Sequence, residues 1–128
     1  MSAFRHPYRT VLGPLGTRSG DGRTLAITGQ FMLMGTAPIF RWDDPEALVG
    51  TVARIDAYDG WLWASGALAV QWEAMHLRTG QLVLCADMDI TRERTTLDGM
   101  DVQQATVRGA RLSPPARWPW EGMWPARI

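Results

Sequence analysis

Hydrophobic and polar positions alternate with period two along most of this chain. Val49, Thr51, Ala53, Ile55 and Ala57 share one face of an extended segment. Asp59-Gly60, a dipeptide suited to positive φ angles, follows, and Trp61, Leu62, Trp63 and Ala64 begin a return strand, so the pattern predicts a β-hairpin. Between Gln81 and Ile90 the residues Leu82, Leu84, Ala86, Met88 and Ile90 fall on one face, with Val83, Cys85, Asp87 and Asp89 on the other. Further strands are predicted near Thr10 to Leu12, ending at Gly13-Pro14, over Pro38 to Trp42, with Pro at the first position, and from Val102 to Leu112, leading into Pro114-Pro115. Phe31-Met32-Leu33-Met34 is too short to assign, and Gly16 to Arg23 reads as an exposed loop.

One stretch changes period. Val70, Ala74, Met75 and Leu77 stand at helical spacing, Glu73 and Arg78 lie outside, and Thr79-Gly80 supplies a stop. The expected fold is therefore mainly β: a small antiparallel barrel or sandwich of about six strands with one short helix. It divides into an aperiodic arm over 1–9, a β-barrel domain over 10–113 and a tail over 114–128.

A chain of 128 residues forms one domain and buries roughly two-thirds of its unfolded surface. The single Cys85 excludes an intrachain disulfide, and no apolar run approaches the roughly 20 residues of a membrane helix, which predicts a soluble protein of a reducing compartment. Thirteen acidic residues balance thirteen basic ones without a basic face, arguing against nucleic-acid binding. Every basic residue is Arg and Asn is absent, a codon signature of a GC-rich genome.

The hairpin from Gly50 to Gly66 follows Val11-Leu12-Gly13-Pro14-Leu15 and Gly20-Asp21-Gly22-Arg23, and Arg111-Leu112-Ser113-Pro114-Pro115-Ala116 closes the succession. In order and local sequence, residues 10 to 117 resemble the prohead (capsid maturation) proteases of tailed phages. That resemblance implies their fold, a small β-barrel flanked by helices and shared with herpesvirus assemblins. It also implies a catalytic His just ahead of the hairpin and a nucleophilic Ser on the strand after the helix. Arg41 to Gly50 contains no His, and the Ser position corresponds to Cys85. The resemblance thus points to a divergent member lacking both groups. Its expected role is that of a minor capsid, decoration or cement protein that binds the major capsid protein, and possibly copies of itself, in virions assembled in the host cytoplasm. The alternatives are a maturation protease that uses Cys85 and a non-viral β-barrel binding module.

Cys85 needs a base to form its thiolate, and His6 and His76 are the only histidines. Asp87 and Asp89 share its face and oppose ionisation. Two His and one Cys cannot supply the four ligands of a structural zinc, so neither metal nor cofactor is expected. Seven Trp are present, and Trp118, Trp120 and Trp124 alternate with Pro and Gly in a tail unsuited to a helix or a central strand. Three indoles there must dock, either on the chain's own barrel or on a neighbouring subunit. Trp118, Trp120 and Trp124, with Phe4 and Tyr8 of the arm, are the candidate partner contacts.

Overall fold

Asp59 and Gly60 both adopt positive φ, 51° and 79°, as a tight hairpin turn requires. The strands they join lie in a mixed sheet, described here from a computed structural model over residues 4–125. The expected arm and tail also include positions 1–3 and 126–128, which lie outside the described residues. In chain order the elements are β1 (His6–Pro14), β2 (Arg23–Leu33), β3 (Ala37–Arg41), β4 (Asp44–Tyr58), β5 (Trp61–Leu68), α1 (Gln71–Thr79), β6 (Val83–Thr96) and β7 (Gly99–Ser113), followed by a 3-10 turn over Pro115–Arg117.

Strand order is β1-β5-β4-β3-β7-β2, with β6 also paired to β7. The expected all-antiparallel arrangement is wrong in one respect: β2 and β3 both run parallel to β7. Period two reveals which face a residue occupies but not the direction of the neighbouring strand. β2 and β3 lie end to end along one edge of β7, matching Met100 to Val107 and Ala110 to Leu112 respectively, while β6 follows the other edge. The sheet does not close. Two isolated bridges, Leu15 to Leu25 and Arg18 to Thr24, tie the chain after β1 to β2.

Faces also depart from simple alternation. β4 carries a register shift between Val52 and Arg54 opposite Gly66 and Ser65. Val52 is therefore fully buried and Ala53 exposed, whereas Ile55 beyond the shift packs against the core, so Val49 to Ala57 do not share one face throughout. Two glycines make the close approach of β4 and β5 possible. A Cβ on Gly66 would lie 2.0 Å from the Thr51 carbonyl oxygen, and one on Gly50 would lie 2.6 Å from that of Ala67.

The core runs through Val11, Ile39, Val52, Leu68, Leu77 and Leu84. α1 contributes Ala74 and Leu77, and Gly80 ends it at φ 80° by donating to the His76 carbonyl. The Thr10 hydroxyl donates to the Leu77 carbonyl at 3.1 Å and fastens α1 to β1. Two expectations for this helix fail: Met75 is exposed, and Glu73, expected outside, is 1% exposed. The amino-terminal turn of α1 faces β3, where Arg41 donates to Glu73 Oε2 at 2.7 Å.

The arm and tail are less separate than their composition implies. β1 begins at His6, so residues 6–9 of the expected arm are strand paired with β5. After the 3-10 turn, the chain crosses the open side of the sheet between β6 and β1. Trp118 Nε1 donates to the Leu12 carbonyl at 3.2 Å and Trp120 Nε1 to that of Thr17 at 3.0 Å. The Gly20 amide donates to the Pro119 carbonyl at 2.8 Å. Burying each indole contributes up to about 4 to 6 kcal/mol.

Candidate functional site

The chemistry-bearing residues converge where the tail crosses β6. Period two places Ala86, Met88 and Ile90 on the inner side of β6, and Asp87 and Asp89 in solvent, as expected from their alternation. At the start of the strand alternation breaks down, and Val83 and Leu84 are both buried.

Cys85 is half-buried there, its thiol 3.6 Å from the Arg117 carbonyl oxygen. Burial pushes the thiol pKa up, and the Asp87 charge adds to this, while a hydrogen bond with Ser113 and the Arg117 charge oppose it. Ser113 is itself buried and donates to the Arg111 carbonyl at 3.1 Å. The thiol's surroundings therefore hold it protonated.

Neither histidine is among the groups that act on this thiol. His6 begins β1 opposite Leu68, and His76 lies on α1 with its ring edge-on to Trp72 at 5.1 Å between centroids. Asp89 is engaged with Arg108 at 2.8 Å. In the segment ahead of the hairpin, where the resemblance implies a His, Arg41 holds Glu73 and the Trp42 ring stacks under the Arg117 guanidinium at 4.0 Å. Among the described residues no group of three His, Cys, Asp or Glu is placed to hold a metal ion.

Beside Cys85 lies a cavity of about 60 Å³. Leu25, Val102, Met88, Ile90, Trp118 and Trp120 line it. Asp21 and Arg23, both half-exposed, mark its rim. They belong to the Gly20-Asp21-Gly22-Arg23 loop, in which the Ser19 hydroxyl binds the Asp21 carboxylate and the Arg23 amide donates to Ser19 Oγ at 3.0 Å. Gly22, at φ 85°, offers its carbonyl to the Met100 amide at 2.9 Å and so docks the loop on the β6–β7 turn.

Of the five candidate partner contacts, most are occupied inside the chain. Trp118 and Trp120 are 4% and 8% exposed. Of the two dockings left open for the tail, these rings take the one on the chain's own sheet. Trp124 is half-buried, edge-on to Trp118 at 5.8 Å and packed over Gly80. Tyr8 is buried, its hydroxyl donating to the Thr51 carbonyl at 3.0 Å, and burial raises its pKa well above the usual phenol range. Phe4 is half-buried.

Sequence pattern alone missed the cavity and the buried Glu73. The cavity joins residues from four strands and the tail, which no local spacing encodes. For Glu73 a signal existed, since it sits between Trp72 and Ala74 near the apolar stripe, but only the position of Arg41 explains its burial.

Comparison with protein-family models, with curated proteins and with solved structures finds no match for this chain.

Proposed function

We propose that this chain is a non-catalytic structural protein of a tailed-phage head, a minor capsid or decoration protein that binds the major capsid protein in the virion. The observation that carries the non-catalytic part is the state of Cys85: a half-buried thiol facing a carbonyl, with burial and Asp87 both opposing its ionisation. A nucleophilic cysteine requires the reverse, a thiolate favoured by a neighbouring base or cation. The phage assignment rests on the succession of motifs from Val11 to Ala116 and on its resemblance to prohead proteases. The mainly β architecture with a single helix is compatible with that family's barrel. The tail supports a barrel-like reading because it spans the side that strand pairing leaves open.

Two measurements test the proposal. Quantitative mass spectrometry of purified particles should find the chain at a fixed ratio to the shell protein, and its absence from mature particles would overturn the structural role. Incubation with the shell and scaffold proteins encoded beside it should leave both intact. Specific cleavage that disappears in Cys85→Ala would establish a maturation protease instead.

A further inference from the structure

We propose that two copies of this chain pair through the free edge of β2, antiparallel about a two-fold axis near Phe31. β2 ends the strand order and is bonded to β7 on one side only. On its other side the bridges from Leu15 and Arg18 reach no further than Leu25, and among the described residues no backbone hydrogen bond crosses that edge from Ala26 to Leu33. The side chains there stand in water: Ile27 is 73% exposed, Met32 40% and Met34 81%, and Thr28 and Gln30 are exposed as well. Such an edge presents backbone donors and acceptors that another extended backbone satisfies.

The composition of β2 is that of a covered strand. No charged residue occurs from Thr24 to Phe40, the longest uncharged run in the chain. The next longest, Gly60 to Trp72, contains β5, which lies between β1 and β4 and is bonded along both edges. Exposed edges are commonly guarded by charges or Pro, and β2 carries neither after Arg23. A register shift between Leu25 and Gln30 bulges the segment that holds Ile27, and pairing with β7 is regular again from Gln30 to Leu33, which confines the usable edge to the run beyond the bulge.

The absence of charge selects the occupant. A charged strand would find no counter-charge here and would lose hydration, whereas a second copy brings a segment of the same uncharged, apolar kind, and a two-fold contact places that segment against itself. Centred on Phe31, the antiparallel pair sets Gln30 opposite Met32 and Thr28 opposite Met34, so no charge is buried and none meets its like. Arg23 and Arg41 lie outside the paired segment, at the two ends of the uncharged run.

Regular pairing over Gln30 to Leu33, with flanking contacts from Thr28 and Met34, is small beside the roughly 800 Å² per partner of a standard interface, so the dimer is weak and concentration-dependent. The contact is independent of the phage assignment, because it concerns the purified chain alone.

Sedimentation velocity from about 5 to about 500 μM protein should show a monomer–dimer equilibrium with a Kd of about 10 to 100 μM. Met32→Lys/Met34→Lys, at exposed positions, should raise that Kd at least about tenfold and leave the melting temperature of the dilute protein unchanged. Met75→Lys, at an exposed apolar position of α1, should leave the Kd as it is. Hydrogen exchange at alternate amides from Thr28 to Leu33 should slow several-fold between the lowest and the highest concentration. A monomer at every concentration, a dimer that Met32→Lys/Met34→Lys leaves intact, or added protection confined to other strands overturns the proposal. So does growth beyond the dimer without limit, since that would assign the edge to open-ended strand stacking rather than to a two-fold pair.

Discussion

Arg41 Nη1 lies 2.7 Å from Glu73 Oε2, joining the end of β3 to the first turn of α1, while Glu73 Oε1 is buried without a hydrogen-bond partner. The Arg41 side chain is 39% exposed and the Glu73 side chain 1%, so the desolvation cost falls almost wholly on the carboxylate. Arg41→Ala leaves that charge uncompensated. It should cost about 2 kcal/mol in urea unfolding, below the full value for a buried pair because the guanidinium is partly hydrated. Glu73→Met removes the orphaned oxygen and fills similar space, so it should cost less than Arg41→Ala. A larger loss for Glu73→Met would show that the pair is a net source of stability.

The tail is a structural element of the sheet. Deleting residues 117–128 removes two buried indoles with their hydrogen bonds to Leu12 and Thr17. Differential scanning calorimetry should show a fall in melting temperature of at least about 10 °C, since each kcal/mol is worth several degrees at this size. An unchanged melting temperature would mean that the tail packs elsewhere in solution.

Glycine positions separate into required and tolerant ones. Gly66→Ala drives a Cβ against the Thr51 carbonyl, a backbone atom inside a ladder, and should cost more than about 3 kcal/mol or prevent folding. Gly13→Ala meets the Trp120 ring at 2.9 Å and should change the fluorescence of that indole as well as stability. Gly35→Ala, at φ 74° with open space around it, should cost only about 1 kcal/mol. Similar losses at Gly35 and Gly66 would contradict this account.

Cys85 and Tyr8 both keep their protons more tightly in the folded chain than in the unfolded one. The unfolded state releases these protons first, so it binds fewer of them at alkaline pH, and stability falls as pH rises. The decline should begin near the ordinary thiol pKa of about 8.5 and steepen near the phenol value of about 10. Cys85→Ala should remove the first part of this slope in urea titrations at successive pH values. Iodoacetamide should also alkylate native Cys85 far more slowly than a free thiol at pH 8, and equal rates would rule out the protected site.

Local signals in the sequence were strong where neighbours in the chain are also neighbours in space. Asp59-Gly60 specified its turn, Thr79-Gly80 stopped α1, and the alternation from Ala86 to Ile90 placed Asp87 and Asp89 in water. Features set by distant partners were not readable. β2 carries too mixed a pattern to announce a strand, because Leu25 is buried while Ile27, Met32 and Met34 nearby are exposed. The burial of Glu73 depends on Arg41, and the shift at Val52 depends on Gly66 across the hairpin. For the candidate site, Cys85 was identifiable as the one thiol, but its pairing with the Arg117 carbonyl and the cavity beside it arise only when the tail folds back.

β7 touches β2, β3 and β6, and two of those contacts are parallel pairings between segments far apart in the chain. The β4–β5 and β6–β7 hairpins close short loops and can form early, but joining them requires long loops to be ordered before any contact rewards the lost entropy. The meeting of β7 with β3 is then the step expected to limit folding, with the hydrogen bond from Trp118 to Leu12, across 106 residues, expected to form after it. Trp118 substitutions should consequently speed unfolding far more than they slow folding, which makes the tail a latch on the lifetime of the native state.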